Sequence, residues 1–563
     1  EGGQLWMVAT LAWMPLAFLL LRRTLYTGRP IFAIALTPVL TLMLFAGDPQ
    51  TMSFVYLWFG AFTAATLIIQ LVSREHSFTT SFARGLLCLL AVIGSVGFAA
   101  VQLLPSRELM NESIRGGGVV YSFLRGAWWG DGLPLSYLHG IFEEITPDGF
   151  FVPGKVAVGL IGVAILGRAY REVLALWFAA AVCMLYADLP VALYESVVQH
   201  IPVYNSMRGS VRVVGVTVFI FHLLTAHGLR NLLEYTGRDR LSRARWFIAA
   251  ALVIGAIASS LRFQPDYLAP AVLVGVAFVL IDASNARRAW PVKEIAVALI
   301  VMLTIELLPQ FNESVQPESD EVYEVTPEYA AFSAERRGLE RVFIADALNV
   351  RIRQGQGTGM LTGDRMVDGS HGLFLQHFSN FFTDIGGWHI SSKDEEGRLA
   401  KQGPYVANWI TRSSMPLFDL FGVRYILRFG RPIPYLEAAV QNRPDEFRLH
   451  KYGELNVYEN LGAMPPLFPI HDVVFVESDD RALEMIRTGE LNYRAQATVP
   501  AGTELPELAP ATGIEPMVLE RYDSGVIEGK DTLTAPALLV LTELRSPDRH
   551  PQGHPNLARS LNN

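Results

Sequence analysis

Cysteine is almost missing from this chain: 563 residues hold two, Cys88 and Cys183, and both fall inside apolar runs. No disulfide framework can therefore staple the fold. Charge is also scarce, at 18% of residues against 51% hydrophobic, and mean hydropathy is +0.28. That is too apolar for a water-soluble chain and too charged for one lying wholly in a membrane, so two regions are implied. A net charge of −8 and a pI of about 5.9 leave no basic stripe for nucleic-acid phosphates. Catalytic fingerprints are missing too. There is no CxxC pair and no HExxH; GQGTG at 355–359 lacks the full dinucleotide spacing, and GSHG at 369–372 is not a nucleophile elbow. The first residue is Glu, and no basic segment with a cleavage site precedes the first apolar run. We expect the chain to be a fragment with at least one span upstream.

What is present is a series of apolar runs of near-spanning length, at about 4–21, 31–46, 51–72, 85–104, 154–167, 173–187, 211–229, 246–261, 267–282 and 292–309. Alternate loops between them carry Arg22, Arg23 and Arg29, then Arg74 and Arg84, then Arg168 and Arg171, then Arg230 to Arg245, then Arg287 and Arg288. Arginine-rich loops stay in the cytoplasm, which places the other loops and everything after residue 310 outside. The expected architecture is an α-helical multi-span membrane bundle over residues 1–310, of about ten spans, with a long outer loop at 105–153. An extracytoplasmic mixed α/β or β-rich domain follows at 311–545. RVFIADALNVRI, VRYILRF and ALLVLTEL in that domain are of strand type, and the polar, proline-bearing tail at 546–563 reads as disordered.

Three outer-face interruptions carry the candidate site. In IPVYNSMRGSVR, 201–212, Arg208 and Arg212 meet hydrocarbon on the side where arginine is normally scarce. They either snorkel and pair for topology alone or form an anion-holding corner, because guanidinium presents a planar fork suited to phosphate. In the turn GDPQ at 47–50, Asp48 either caps the next helix or, with Gln50, joins that corner, where a carboxylate could also hold a divalent metal. Glu108, Glu112 and Arg115 fall at helical spacing in the long loop. The same loop holds Trp128, Trp129, Phe150 and Phe151 as interfacial aromatics, and His139 and Glu143 four apart, which alone is weak evidence for a metal.

The ordered series GDPQ, LLPSRELMNESIRGG at 103–117, IPVYNSMRGSVR, LFDLFGVRYIL at 417–427, YENLGAMPPLFPI at 458–470 and YDSG followed by ALLVLTE resembles the bacterial YfhO-like membrane proteins. That family is similar to the GT-C superfamily of glycosyltransferases, multi-span enzymes that take a sugar from a polyprenyl-phosphate carrier outside the membrane. The resemblance implies a bacterial cytoplasmic-membrane enzyme that transfers a monosaccharide to a cell-envelope glycopolymer or glycolipid acceptor. Its partners would be the polyprenyl-phosphate-linked sugar and membrane lipids.

On that reading Arg208, Arg212, Arg115 and Gln50 hold substrate phosphate. The catalytic acid is expected upstream of residue 1, with Asp48, Glu108 and Glu112 as the residual acidic candidates. The family pattern also continues past the LLVLTE strand where this chain reads RSPDRHPQGHP, so its final strands are expected to be absent or replaced. Two readings of other classes stand beside it: a transporter or flippase for an envelope lipid, and a non-catalytic membrane scaffold.

Overall fold

In a computed structural model the described residues are 5–46, 49–121, 157, 160–161, 164–165, 167, 169–187, 189–201, 204–207, 213–234, 300–301, 325–336, 340–345, 364–366, 391–393, 395, 398–402, 415–429, 432–505, 508, 517–522, 527–530 and 536–541. The chain divides into two compact units. One comprises Glu1–Asn111 and Arg115–Pro317, the other Glu112–Ile114 and Glu318–Asn563.

The first unit is helical: α1 (Leu5–Ala12), α2 (Met14–Thr27), α3 (Pro30–Phe45), α4 (Pro49–Val72), α5 (Phe78–Phe98), α6 (Ala100–Glu112), α7 (Tyr170–Ala187), α8 (Val191–Ser196) and α9 (Val214–Glu234). Helices α3, α4, α7 and α9 fall on expected apolar runs. The run at 4–21 is instead broken at Trp13, since Pro15 in the first turn of α2 has no N–H to give the preceding turn. The run at 85–104 begins earlier, where the Ser77 hydroxyl accepts the Thr80 N–H and caps α5, and it is interrupted at Ala99. Among the described residues α4, α5 and α7 are long and apolar enough to cross a bilayer, and α3 is a shorter apolar helix. The expected runs at 246–261 and 267–282, the run at 292–309 apart from residues 300–301, and the tail lie outside the described residues.

Helix α5 shows what kind of solvent its sequence suits. Phe78, Phe82, Leu86, Leu89 and Ile93 recur at helical spacing and are exposed, whereas Ser81, Arg84, Cys88 and Ser95 on the other face are buried. An apolar outside and a polar inside is the pattern that hydrocarbon, not water, favours. Helices α4 and α7 pack antiparallel, with Phe54 on Tyr186 at one end and Gln70 sharing a cavity with Glu172 at the other. Trp58 of α4 stacks on Phe18 and meets Phe219 of α9. Ser53 and Gln70 are 17 residues apart on α4, or about 25 Å at 1.5 Å per residue. The arginine-bearing loops share the Gln70 end: Gly28 lies against Arg84, Arg22 pairs with Glu172, and Arg171 pairs with Glu75.

The second unit is mixed α/β. Its main sheet has the order β2 (Arg365–Met366), β1 (Arg341–Ile344), β5 (Val423–Phe429), β7 (Leu455–Asn460), β6 (Phe447–Tyr452), parallel across β2, β1 and β5 and antiparallel from there. Strand β1 is buried at all four positions because both faces are covered. Val342 and Ile344 pack under Tyr329 and Phe332 of the helix Pro327–Glu335, and Phe343 packs with Phe418, Leu436 and Ala439 of the helices Met415–Leu420 and Pro434–Gln441. A two-residue turn joins β6 to β7 with Gly453 at φ +57°, the left-handed first position such hairpins require. Four two-stranded pieces complete the described strands: β3 (Ser391–Lys393) with β4 (Leu399–Gln402), β8 (Leu467–Ile470) with β13 (Leu538–Leu541), β9 (Asp472–Val476) with β10 (Gln496–Pro500), and β11 (Val518–Tyr522) with β12 (Ile527–Lys530). The expected strand sequences in RVFIADALNVRI, VRYILRF and ALLVLTEL hold β1, β5 and β13.

Candidate functional site

Asp48, Arg208 and Arg212 lie outside the described residues, as do His139, Glu143 and the four loop aromatics. The flanks of the three expected segments, however, are described and meet within the first unit. The Tyr204 hydroxyl donates to the Ser53 carbonyl at 2.8 Å, three residues beyond Gln50, and the Ser53 hydroxyl contacts Met207 Sδ at 3.4 Å. Tyr186 also reaches that sulfur, at 3.9 Å. From the third segment, Val119 donates its N–H to the Asn205 carbonyl at 2.9 Å, and the Tyr194 hydroxyl donates to the Val119 carbonyl. The chain entering Arg208 is thus clamped between the start of α4 and the residues that follow Arg115. Gln50 is half-buried in the first turn of α4.

The Glu108–Arg115 segment departs from its expected helical spacing. Glu108, exposed, and Glu112, half-buried, lie on α6, but the helix ends at Glu112 and Arg115 opens a turn closed by the Gly118 N–H on the Arg115 carbonyl. The cause is local. Three successive glycines weaken helix propagation, and Gly118 takes φ +87°, a conformation that side-chain-bearing residues rarely adopt. Among the described residues no cluster of three or more His, Cys, Asp or Glu is placed to hold a metal ion.

At the opposite end of the bundle lies a polar cluster that the sequence reading did not assemble. Arg22 of α2 forms a two-armed ion pair with buried Glu172 of α7, Nη2 to Oε2 being 2.9 Å, and His227 Nε2 of α9 is 3.9 Å from the same carboxylate. Beside it a cavity of about 220 Å³ is lined by Tyr26, Thr66, Gln70, Tyr170 and Glu172, among others. Gln70 is only 2% exposed, yet neither of its amide atoms has a partner, nor does the Thr66 hydroxyl. Each such group costs about 1–3 kcal/mol when left unsatisfied.

The second unit carries its own charged centre. Asp419, fully buried, sits in the motif LFDLF and accepts from Asn460 Nδ2 at 2.8 Å, the Tyr493 hydroxyl at 2.8 Å, and Arg443 Nη2 and Arg494 Nη2 at 3.0 Å each. Burial and the neighbouring Asp419 push the Tyr493 phenol above its usual range. The Asp419 backbone carbonyl accepts the Met464 N–H, which ties LFDLFGVRYIL to YENLGAMPPLFPI. Between these two motifs opens a cavity of about 490 Å³. Strand β5 carries one extra residue there: Arg341 pairs with Val423 and Val342 with Tyr425, leaving Arg424 as a bulge. A bulge re-aims its side chain, and Arg424 lines the cavity with Arg341 and Arg494. Arg424 also donates to Glu459 at 2.7 Å. Burial pushes Glu459 up, but the bonds from His450 and Arg424 outweigh it and hold the carboxyl below its ordinary value. Individual residues of this cavity had no local sequence signal; an acid inside the apolar stretch LFDLF was the one available hint.

Against models of known protein families the chain matches none, and no curated protein matches it significantly.

Proposed function

We propose that the chain is a GT-C-like membrane glycosyltransferase that takes a monosaccharide from a polyprenyl-phosphate carrier and passes it to a cell-envelope glycopolymer or glycolipid outside a bacterial cytoplasmic membrane. The observation supporting it is the meeting of segment flanks: Ser53 with Tyr204 and Met207, and Val119 with Asn205. Residues flanked in this way, Gln50, Arg115, Arg208 and Arg212, can share one corner at the end of the apolar helices. There a guanidinium holds the charge that develops on the departing lipid phosphate. The resemblance of the ordered motifs to the YfhO-like proteins suggests the reaction class. Three apolar helices and the lipid-suited surface of α5 agree with a membrane setting, and the common end of the arginine-bearing loops agrees with the cytoplasmic side lying opposite this corner.

The test is sugar transfer from a polyprenyl-phosphate donor by protein expressed from its complete reading frame, comparing Arg208→Lys and Arg208→Ala with the parent at equal expression. Lys keeps the charge but loses the planar fork, so Arg208→Lys should lose most of the activity and Arg208→Ala nearly all. Full transfer by Arg208→Ala removes the arginine from the mechanism. A second reading, movement of an envelope lipid without bond chemistry, draws on the cavity at Gln70, whose unpartnered polar groups suit a passing headgroup. Flip of a labelled lipid in vesicles without sugar transfer would favour it.

A further inference from the structure

We propose that the cavity between β5 and the 461–466 loop of the second unit is a binding site for an anionic saccharide unit, one bearing a carboxylate or a phosphate. The site itself stands on geometry; its role as the dock for the acceptor rests on the transferase reading. The volume, about 490 Å³, falls within the range of small-molecule sites. Three arginines and one carboxylate, Glu340, line it, and the carboxylates that pair with Arg424 and Arg494, which are Glu459, Asp419 and Glu446, are not among the lining residues.

Arg424 retains donors for a ligand: it reaches Glu459 through Nη2 alone, which leaves its Nε–H and Nη1 hydrogens uncommitted. Arg494 is engaged by Asp419, Glu446 and Tyr493. The side chains of Arg424 and Arg494 are 30% and 41% exposed, open enough to be met from solvent. The pairs behind them fix their heads: Asp419 and Glu446 hold Arg494, and Glu459 holds the bulged Arg424. Guanidinium held in this way offers a ready fork to a carboxylate or phosphate.

A bare anion does not satisfy the whole wall. Glu340 is the one carboxylate in the lining, an acceptor that suits a hydroxyl and repels a second anion. Tyr425, Pro465 and Pro466 add apolar faces suited to the C–H side of a sugar ring. A ligand with one acidic group, neighbouring hydroxyls and an apolar ring face meets all three demands together. Neutral sugars meet only the last two, and inorganic phosphate only the first.

The experiment is calorimetric titration of the whole chain in detergent micelles, with no donor present, using glucuronate, glucose 6-phosphate, glucose and inorganic phosphate. The two acidic sugars should bind, with glucose and inorganic phosphate roughly tenfold weaker or more. Arg424→Gln, which removes the fork, and Ala463→Leu, which fills the cavity without touching charge, should each weaken the acidic sugars roughly tenfold while the melting temperature of Ala463→Leu stays at the parent value. Glucose binding as well as glucuronate, inorganic phosphate binding as well as either acidic sugar, no binding at all, or binding untouched in both variants would overturn the site. If both variants lose sugar binding yet transfer sugar to the native acceptor at the parent rate, the docking role fails and the transferase reading stands. If acidic sugars bind while no transfer occurs in any protein, that reading fails and the site stands.

Discussion

Replacing Asp419 with alanine isolates the most tightly bound charge of the second unit. The carboxylate is fully buried and accepts from four side-chain donors at 2.8–3.0 Å, two of them cationic. Removing one partner of a buried ion pair typically costs about 3–5 kcal/mol, because the remaining charge is left without compensation. Here Arg443 is 15% and Arg494 41% exposed, so water recovers part of that loss and the lower end, about 3 kcal/mol, is expected. Arg494→Ala should cost about 1 kcal/mol or less, since Arg443 still faces the carboxylate and the lost pair was half in water. Arg443→Ala should fall between them. Hydrogen exchange with mass-spectrometric readout, on the whole chain, follows β5 and β7 directly. A loss of about 3 kcal/mol speeds their exchange roughly a hundredfold, while α5 should be unchanged. Acceleration below about tenfold for Asp419→Ala, or a larger effect from Arg494→Ala, would refute the reasoning.

Four further outcomes can be checked. Glu459 has a folded pKa below its ordinary value, so the stability it contributes is present above its unfolded pKa of about 4.3 and is lost as pH falls through the folded value; melting in acid should show less of this loss once Arg424→Gln removes one cause. Gly228→Ala would drive a methyl into the Leu160 backbone carbonyl and should lower the melting temperature in detergent, whereas Gly60→Ala, with nothing within 4 Å, should be neutral or stabilising. Glu172→Ala leaves Arg22 as an uncompensated cation and should destabilise the bundle more than the Arg22→Ala, Glu172→Ala double variant does, a coupling that a double-mutant cycle in thermal melts measures. A cysteine at Ser319 should react with an impermeant thiol reagent in intact cells, and labelling only after lysis would reverse the proposed topology.

Legibility differed between the units for physical reasons. Apolar runs announce helices because burial or lipid contact acts along a contiguous stretch, so α3, α4, α7 and α9 could be read directly. Breaks depend on single residues, and Pro15, the Ser77 cap and the glycine run 116–118 each moved a boundary. The strand sequences around β1 and β5 were readable because both faces of the sheet are apolar. Pairings across long separations were not. Arg22 and Arg171 read as loop charges, and nothing local shows that Arg22 meets Glu172, 150 residues on, or that His227 completes the group. The bulge at Arg424 depends on register with β1, which sequence pattern alone does not set.

The central claim is that lipid-linked sugar is held at the corner flanked by Ser53, Val119 and Met207. Photocrosslinking tests it most directly, with a polyprenyl-phosphate sugar carrying a photoreactive group beside the phosphate and peptide mapping of the labelled protein. Adducts confined to Gln50–Phe54, Arg115–Val119 and Tyr204–Val213, and competed away by unlabelled donor, are the predicted result. Adducts confined to the Gln70 and Glu172 end, or labelling that excess donor does not displace, would contradict it.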